Sequence, residues 1–154
     1  MKLTEHFTLE ELTKSDIAIQ HSIDNTAPVD VIPNLTRLAN VLEQVRALIA
    51  KPIIVTSAYR NLKVNAMLDS KPTSQHCIGC AADIKVSGMT PNDIVNRIVN
   101  SKIEYDQVIR EFDSWVHISI PNDEKTKPRK QALIIDRSGT RPYMSKLDNT
   151  VFAI

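Results

Sequence analysis

The sequence predicts an α+β fold, with helices from the first half of the chain packed on a small antiparallel sheet built mainly from the second half. A long amphipathic helix is indicated over residues 30–50, and three short strand candidates follow residue 100. No repeat, linker or low-complexity segment divides the chain, and its 154 residues suit one hydrophobic core. We therefore expect a single domain over residues 1–154, with the motif-bearing core at about 30–120.

The first part of the chain is predicted to form helices. Thr8 and Glu11 are spaced as a capping box, so a short helix begins there, and a loop follows over residues 22–30. Pro33 is tolerated in the long helix because it falls in the first turn. The apolar residues of that helix recur at intervals of three and four and share one face; they are Leu35, Leu38, Leu42, Val45 and Ile49.

Strands and helices then alternate. In order, the pattern predicts a buried strand at 52–57 with a turn at 58–60, a short helix at 61–70, a loop at 71–80, a strand at 81–86 and a helix from Thr90 to about residue 100. Strands at 105–112, 115–120 and 131–136 complete the sheet. Only Asp113 and Ser114 separate the first two of these, which suits a tight hairpin.

Composition, charge and the length of apolar runs indicate the class of protein and the partners to expect. Apolar residues make up 42% of the chain and charged residues 24%, as in soluble globular proteins. The net charge is +1 without a dense Lys or Arg block, so no nucleic-acid partner is predicted. No apolar run approaches the roughly 18 residues that span a bilayer, and the amino terminus lacks the apolar core of a signal peptide. We expect synthesis in the cytoplasm, no membrane insertion, and a monomer.

Metal-ligand residue types cluster in the stretch TSQHCIGCAADI, residues 73–84. His76 and Asp83 are separated by six residues, and a bend at Gly79 would let both side chains converge. His117, on a later strand, could supply a third ligand. Catalytic zinc takes three protein ligands and keeps a fourth position for water. The spacing permits such a site without requiring it.

Cys77 and Cys80 form a C-x-x-C in the same stretch. A thioredoxin-type pair opens a helix after a strand, whereas this pair lies in a loop that leads into a strand. A structural zinc site would need a second ligand pair, which the sequence lacks. We predict instead that Cys80 is buried in the bend and that Cys77 is partly exposed.

The chain resembles the LAS group of zinc peptidases, in the branch of D-Ala-D-Ala carboxypeptidases and bacteriophage endolysins (subfamily A of the M15 peptidases). The segments that carry the resemblance are SAYR, VNAMLDSKPTSQHCIGCAADI and YDQVIREFDSWVHISI. It extends from FTLEEL to about residue 120. The branch pattern of S-x-H, glycine bend, A-x-D and a later W-x-H is met by Ser74, His76, Gly79, Ala81, Asp83, Trp115 and His117.

This resemblance implies a hedgehog/D-Ala-D-Ala peptidase-like fold and a Zn²⁺ ion bound by His76, Asp83 and His117. It also implies that Arg60 meets the substrate carboxylate or polarises the scissile carbonyl, since a guanidinium can hold a carboxylate by two parallel hydrogen bonds. Further candidate substrate-binding residues are Ser74, which could instead orient the histidine, Gln75, and Trp115, which is either a wall of the cleft or a core residue.

The position of the catalytic base is left open. The family places an acid just before the last histidine, but Ser114 stands three residues before His117, with Asp113 and Glu111 four and six before it. Alternation along a strand puts both acids on the face of His117, and a turn at Asp113 would interrupt that count. We favour Glu111, because EF-x-x-WVH resembles the phage branch in which this glutamate recurs. Asp113 is the alternative.

These features predict a zinc metallopeptidase that hydrolyses an amide bond in the peptide stems of peptidoglycan, as a DD-carboxypeptidase or a murein endopeptidase. The missing export signal favours a phage or prophage endolysin, which reaches the wall after the membrane is opened or as a virion component. The alternative is a non-catalytic wall-binding or virion structural module that has kept the fold and lost the base, in line with the departure at Ser114.

Overall fold

The structure, a computed structural model, describes residues 1–144 as one α+β domain. The last ten residues of the predicted domain, 145–154, lie outside the described residues. In chain order the elements are α1 (Leu9–Thr13), α2 (Asp16–Gln20), α3 (Ile32–Ile49), β1 (Ile54–Ser57), α4 (Leu62–Met67), a 3₁₀ turn (Gln75–Ile78), β2 (Ala81–Lys85), α5 (Pro91–Val99), β3 (Gln107–Glu111), β4 (Trp115–Ser119), β5 (Gln131–Asp136) and β6 (Gly139–Pro142).

Six strands form one sheet in the order β1-β2-β4-β3-β5-β6. Neighbouring strands are antiparallel except β3 and β5, which are parallel. The prediction of an antiparallel sheet is therefore wrong at this pair. Both edges of β4 are already occupied by β2 and β3, so the chain crosses to the free edge of β3 before β5 begins. β6, which the sequence pattern does not predict, then pairs with β5 as a hairpin.

Several local predictions need correction. β1 is an edge strand rather than a buried one, since it pairs only with β2 and leaves Ile54 49% exposed. The helix α2 is not predicted, although Ser15 caps it by accepting a hydrogen bond from the N–H of Ala18. The predicted loop at 71–80 contains the 3₁₀ turn Gln75–Ile78. Each of these elements is four or five residues long, too short for a periodic pattern to identify.

The longer elements are confirmed. Pro33 lies in the first turn of α3, and the five predicted apolar residues of that helix are all buried. Thr90 and Asp93 form a reciprocal capping box at the start of α5. The start of the five-residue helix α1 is also as predicted, although only half of its capping box forms: Thr8 accepts a hydrogen bond from the N–H of Glu11. Among the described residues, no helix is both long and apolar enough to cross a membrane.

One face of the sheet shares the hydrophobic core with α3 and α5. Its fully buried side chains occupy alternate positions and are Ala82 and Ile84 of β2, Val108 of β3, Val116 and Ile118 of β4, and Ala132 of β5. Truncating a buried Leu or Ile in such a core costs about 2–5 kcal/mol. The opposite face carries the intervening residues, among them Asp83, Glu111 and His117. One face of the sheet is therefore buried in the core, and the opposite face carries the candidate site residues.

Candidate active site

Asp83 and His117 stand together near the middle of the second sheet face. The register of β2 and β4 places them directly opposite each other. Oδ1 of Asp83 lies 3.3 Å from Nδ1 of His117. Side chains paired in this way stand on one face of the sheet with their Cβ atoms close together. Two of the predicted ligand residues are thus positioned by strand pairing itself.

His76 reaches the same point from the 3₁₀ turn. Its Nε2 lies 3.3 Å from Oδ1 of Asp83, so one carboxylate oxygen faces both imidazole rings. The candidate ligand atoms of His76, Asp83 and His117 all lie within 4.8 Å of one another. We refer to these three residues as the ligand triad. The structure brings together the residues for which the sequence predicts a metal site.

The turn that carries His76 is fixed at both ends. Ser74 caps its start, where its hydroxyl accepts a hydrogen bond from the backbone N–H of His76. Gly79 ends the turn with a φ of 77°, a left-handed conformation that glycine adopts without strain. A Cβ at this position would lie 2.7 Å from Cγ1 of Val31. Gly79 is therefore required by both conformation and packing.

The donor atoms of the triad fit a zinc ion. Nδ1 of His76 lies 2.7 Å from the carbonyl oxygen of Ala58, which can only accept, so Nδ1 carries a proton and Nε2 presents a lone pair to Asp83. Burial lowers the pKa of His76 and favours this neutral ring. Burial opposes ionisation of Asp83, and the facing imidazole of His117 works against burial; the net result is a pKa well below the usual range.

A neutral imidazole nitrogen and an ionised carboxylate oxygen therefore face each other at 3.3 Å, and both are acceptors. A cation among the triad atoms removes their mutual repulsion. Two imidazole nitrogens and one carboxylate oxygen form a donor set that zinc takes in catalytic sites. The hydrogen bond from His76 to a backbone carbonyl is also the outer contact that orients metal-bound histidines.

Arg60 supports the triad from outside. Its Nη2 donates to Oδ2 of Asp83 at 3.0 Å, which leaves Oδ1 directed at the histidines. Its Nε donates to Oγ of Ser57 at 3.0 Å, and its Nη1 contacts Oδ1 of Asn65 at 3.5 Å. The guanidinium predicted to meet the substrate is thus already engaged by three protein acceptors. The spacing of the sequence gives no sign of this contact.

A cleft with a volume of about 450 Å³ opens over the triad. Its walls come from the end of α4, the segment that follows it, and the hairpin between β3 and β4. Apart from the triad and Arg60, the lining residues are Leu68, Asp69, Ser70, Ser74, Glu111, Phe112 and Trp115. A concave site with converging polar groups is where ligands ordinarily bind.

A family model described as peptidase M15 matches residues 5–119 of the chain, from before α1 to the end of β4. The chain belongs to the peptidase M15 family. The predicted membership among the M15 peptidases is thereby confirmed, and the limits of the resemblance agree with the matched residues. Peptidases of this family depend in general on zinc, and the matched region contains the whole ligand triad. A comparison with curated proteins found no match.

The two candidate bases of this M15 peptidase lie in different surroundings. The hairpin turn comprises three residues, 112–114, because Glu111 pairs with Trp115 and accepts a hydrogen bond from the N–H of Ser114. The predicted two-residue turn is wrong, and the alternation of faces ends at Glu111. Asp113 lies in the turn, its side chain is 71% exposed, and it pairs with Nε of Arg110 at 3.2 Å. It does not line the cleft.

Glu111 lines the cleft beside the triad. Burial raises the pKa of its carboxyl, as does the nearby carboxylate of Asp83, and the neighbouring His117 and Arg60 offset part of that rise. Trp115 stands directly opposite Glu111 on β4 and walls the same cleft. Its buried indole nitrogen completes no hydrogen bond within the described part of the chain.

Of the remaining predicted residues of this M15 peptidase, some line the cleft and others lie outside it. Ser74 lines the cleft besides capping the turn of His76. Gln75 is directed elsewhere: its Nε2 donates to the carbonyl of Ile120 at 2.8 Å and to Oδ1 of Asn122 at 2.9 Å. It does not line this cavity but lines the adjoining groove along β3 and β5. Both cysteines are free, with Cys80 buried and Cys77 half-buried, as predicted.

Proposed function

We propose that this M15 family member is a zinc-dependent peptidase that hydrolyses an amide bond in the peptide stems of peptidoglycan. The convergence of His76, Asp83 and His117 at the floor of a cleft carries this proposal. Membership in the M15 family supports it, because the family consists of peptidases. The substrate class rests on the resemblance to D-Ala-D-Ala carboxypeptidases and endolysins.

Zinc held by the triad would acidify water and polarise the scissile carbonyl. The triad itself supplies a pre-oriented donor set: β2 and β4 fix Asp83 and His117, and the hydrogen bond to Ala58 fixes the ring of His76. Arg60 holds the second oxygen of Asp83, so that Oδ1 stays directed at the histidines. Such outer contacts tune metal affinity and ligand orientation.

Glu111 is the proposed base. In amide hydrolysis the water oxygen bonds to the carbonyl carbon, the carbon–nitrogen bond breaks, and one water proton passes to the departing amine. A carboxylate in the cleft can accept that proton and then deliver it. The partly buried carboxyl of Glu111 has a raised pKa, which suits a group that must both take up and release a proton.

The proposed setting is phage or prophage lysis, in which the enzyme meets the wall after the membrane has been opened or as part of a virion. This setting follows from the resemblance to phage endolysins. The proposed partner is the stem peptide of peptidoglycan, bound along the cleft.

Release of free amines from purified peptidoglycan tests the proposal. The native protein should release amines, a chelator should stop the release, and added zinc should restore it. A protein that holds zinc yet releases no amine would be a non-catalytic wall-binding module, and the proposal would fail. A sedimentation assay with the same peptidoglycan then identifies that module by its retention in the pellet.

A further inference from the structure

We propose that this active site cuts internal peptide bonds and does not select a free terminal carboxylate, so that the enzyme is an endopeptidase. The inference rests on the proposed function and names its substrate class. It follows from the shape of the cleft, from the hydrogen bonds of Arg60 and from the charges along the walls.

The cleft continues on both sides of the triad. A second cavity, of about 260 Å³, adjoins the first and is lined by residues of α2 and β1. The two cavities share Arg60, Leu68, Asp83 and Trp115, so Asp83 of the ligand triad lies where they meet. A further groove of about 500 Å³ shares Ser70, Ser74 and His117 with the first cavity and runs along β3 and β5. A chain can therefore extend in both directions from the scissile bond.

A carboxypeptidase must recognise a terminal carboxylate next to the scissile bond, and an uncommitted cation is the usual means. Among the described residues that line the two cavities, Arg60 carries the one guanidinium or ammonium group. Its Nε, Nη1 and Nη2 already meet Ser57, Asn65 and Asp83. Asp83 offers Arg60 the oxygen that does not face the histidines, so this contact is compatible with metal binding.

In these two cavities the remaining charged side chains, apart from the histidines, are acidic. Asp69 and Glu111 line the first cavity, and Asp16 lines the second. A free carboxylate would meet like charges there, whereas an uncharged peptide continuing through the cleft would not. Lys71 and Arg129 lie further out, in the groove along β3 and β5, where Arg129 pairs with Asp106 at 2.6 Å. The charge pattern thus disfavours a substrate that ends beside the triad.

Mass spectrometry of soluble muropeptides, including cross-linked dimers, digested with the zinc-loaded protein tests the inference. Fragments that end at an internal bond are the expected products. A peptide that carries the cleaved bond is then made with a free and with an amidated C-terminus. The native protein should cleave both forms with about equal kcat/KM. Arg60→Gln should lower the rate on both forms without changing their ratio, and Arg141→Gln, which alters an arginine outside the cleft, should behave as native.

Release of single free amino acids as the main product would overturn the inference. So would a preference of about tenfold or more for the free acid, the size expected when a charged hydrogen bond is lost. Loss of that preference in Arg60→Gln or Lys71→Gln would identify the cation that binds the carboxylate. The absence of any product would reject the proposed function as a whole, and the two failures are therefore distinguishable.

Discussion

Asp83 lies directly opposite His117 across β2 and β4, and its Oδ1 approaches Nδ1 of His117 to 3.3 Å. This half of the site is built on paired strands whose other face is packed in the core. The other half, His76, is placed by a turn that Ser74 begins and Gly79 ends. Sheet and turn therefore have separate sequence requirements, and substitutions can test them separately.

Glu111→Gln should lower kcat for peptide hydrolysis by about 10²–10⁴-fold, the range for loss of a general base. The amide keeps the size of the side chain but cannot accept the proton. Zinc content should stay at the native level, because Glu111 is outside the triad. Asp113→Asn is the matched control and should retain native kcat, since its side chain is in the exposed turn. The reverse ranking of the two variants would assign the base to Asp113.

Arg60→Lys should weaken zinc binding by about 10–100-fold, as expected when an outer partner of a metal ligand is lost. A lysine keeps the charge but cannot reach Asp83, Ser57 and Asn65 together. Competition with a chromogenic chelator measures the affinity. Arg141→Lys serves as the control. Unchanged zinc affinity in Arg60→Lys would show that the contact with Asp83 does not support the ligand.

Gly79→Ala should destabilise the fold more than Gly88→Ala. Both glycines have a left-handed φ, 77° and 80°, so each substitution meets a similar backbone cost of about 1–2 kcal/mol. At Gly79 the new Cβ also overlaps Cγ1 of Val31, whereas at Gly88 the nearest atom is the flexible end of Lys51 at 3.5 Å. The overlap adds about 1–3 kcal/mol. Urea unfolding of both variants measures the difference, and equal losses would contradict it.

Asp106 should contribute an acid-sensitive part of the stability. Burial opposes its ionisation, but hydrogen bonds from Arg129 and Gln75 outweigh burial and hold its pKa below 3.8. The stabilisation is therefore present above pH 3.8 and is lost as the pH falls through the folded-state pKa. Asp106→Asn should be less stable than native at pH 7 and should lose less on acidification. Parallel melting-temperature curves from pH 7 to 3 would contradict this assignment.

The sequence predicts those parts of the molecule that depend on a local periodic pattern or on motifs in a fixed order along the chain. The 3.6-residue period of α3 and the motif order around His76 and His117 are of this kind. The contact of Arg60 with Asp83 depends on how a turn and a strand 23 residues apart meet in space. The parallel pairing of β5 depends on which strand edge is free when the chain arrives. Neither of these two features can be predicted from the spacing of residues along the chain.

Zinc stoichiometry tests the central claim most directly, namely that His76, Asp83 and His117 form a metal site. The purified native protein, loaded with zinc and dialysed, should retain one ion per chain by elemental analysis. Asp83→Ala and His117→Ala should each lose it while they keep the native circular dichroism spectrum. A native protein that retains no zinc, or triad variants that retain as much as the native protein, would contradict the account.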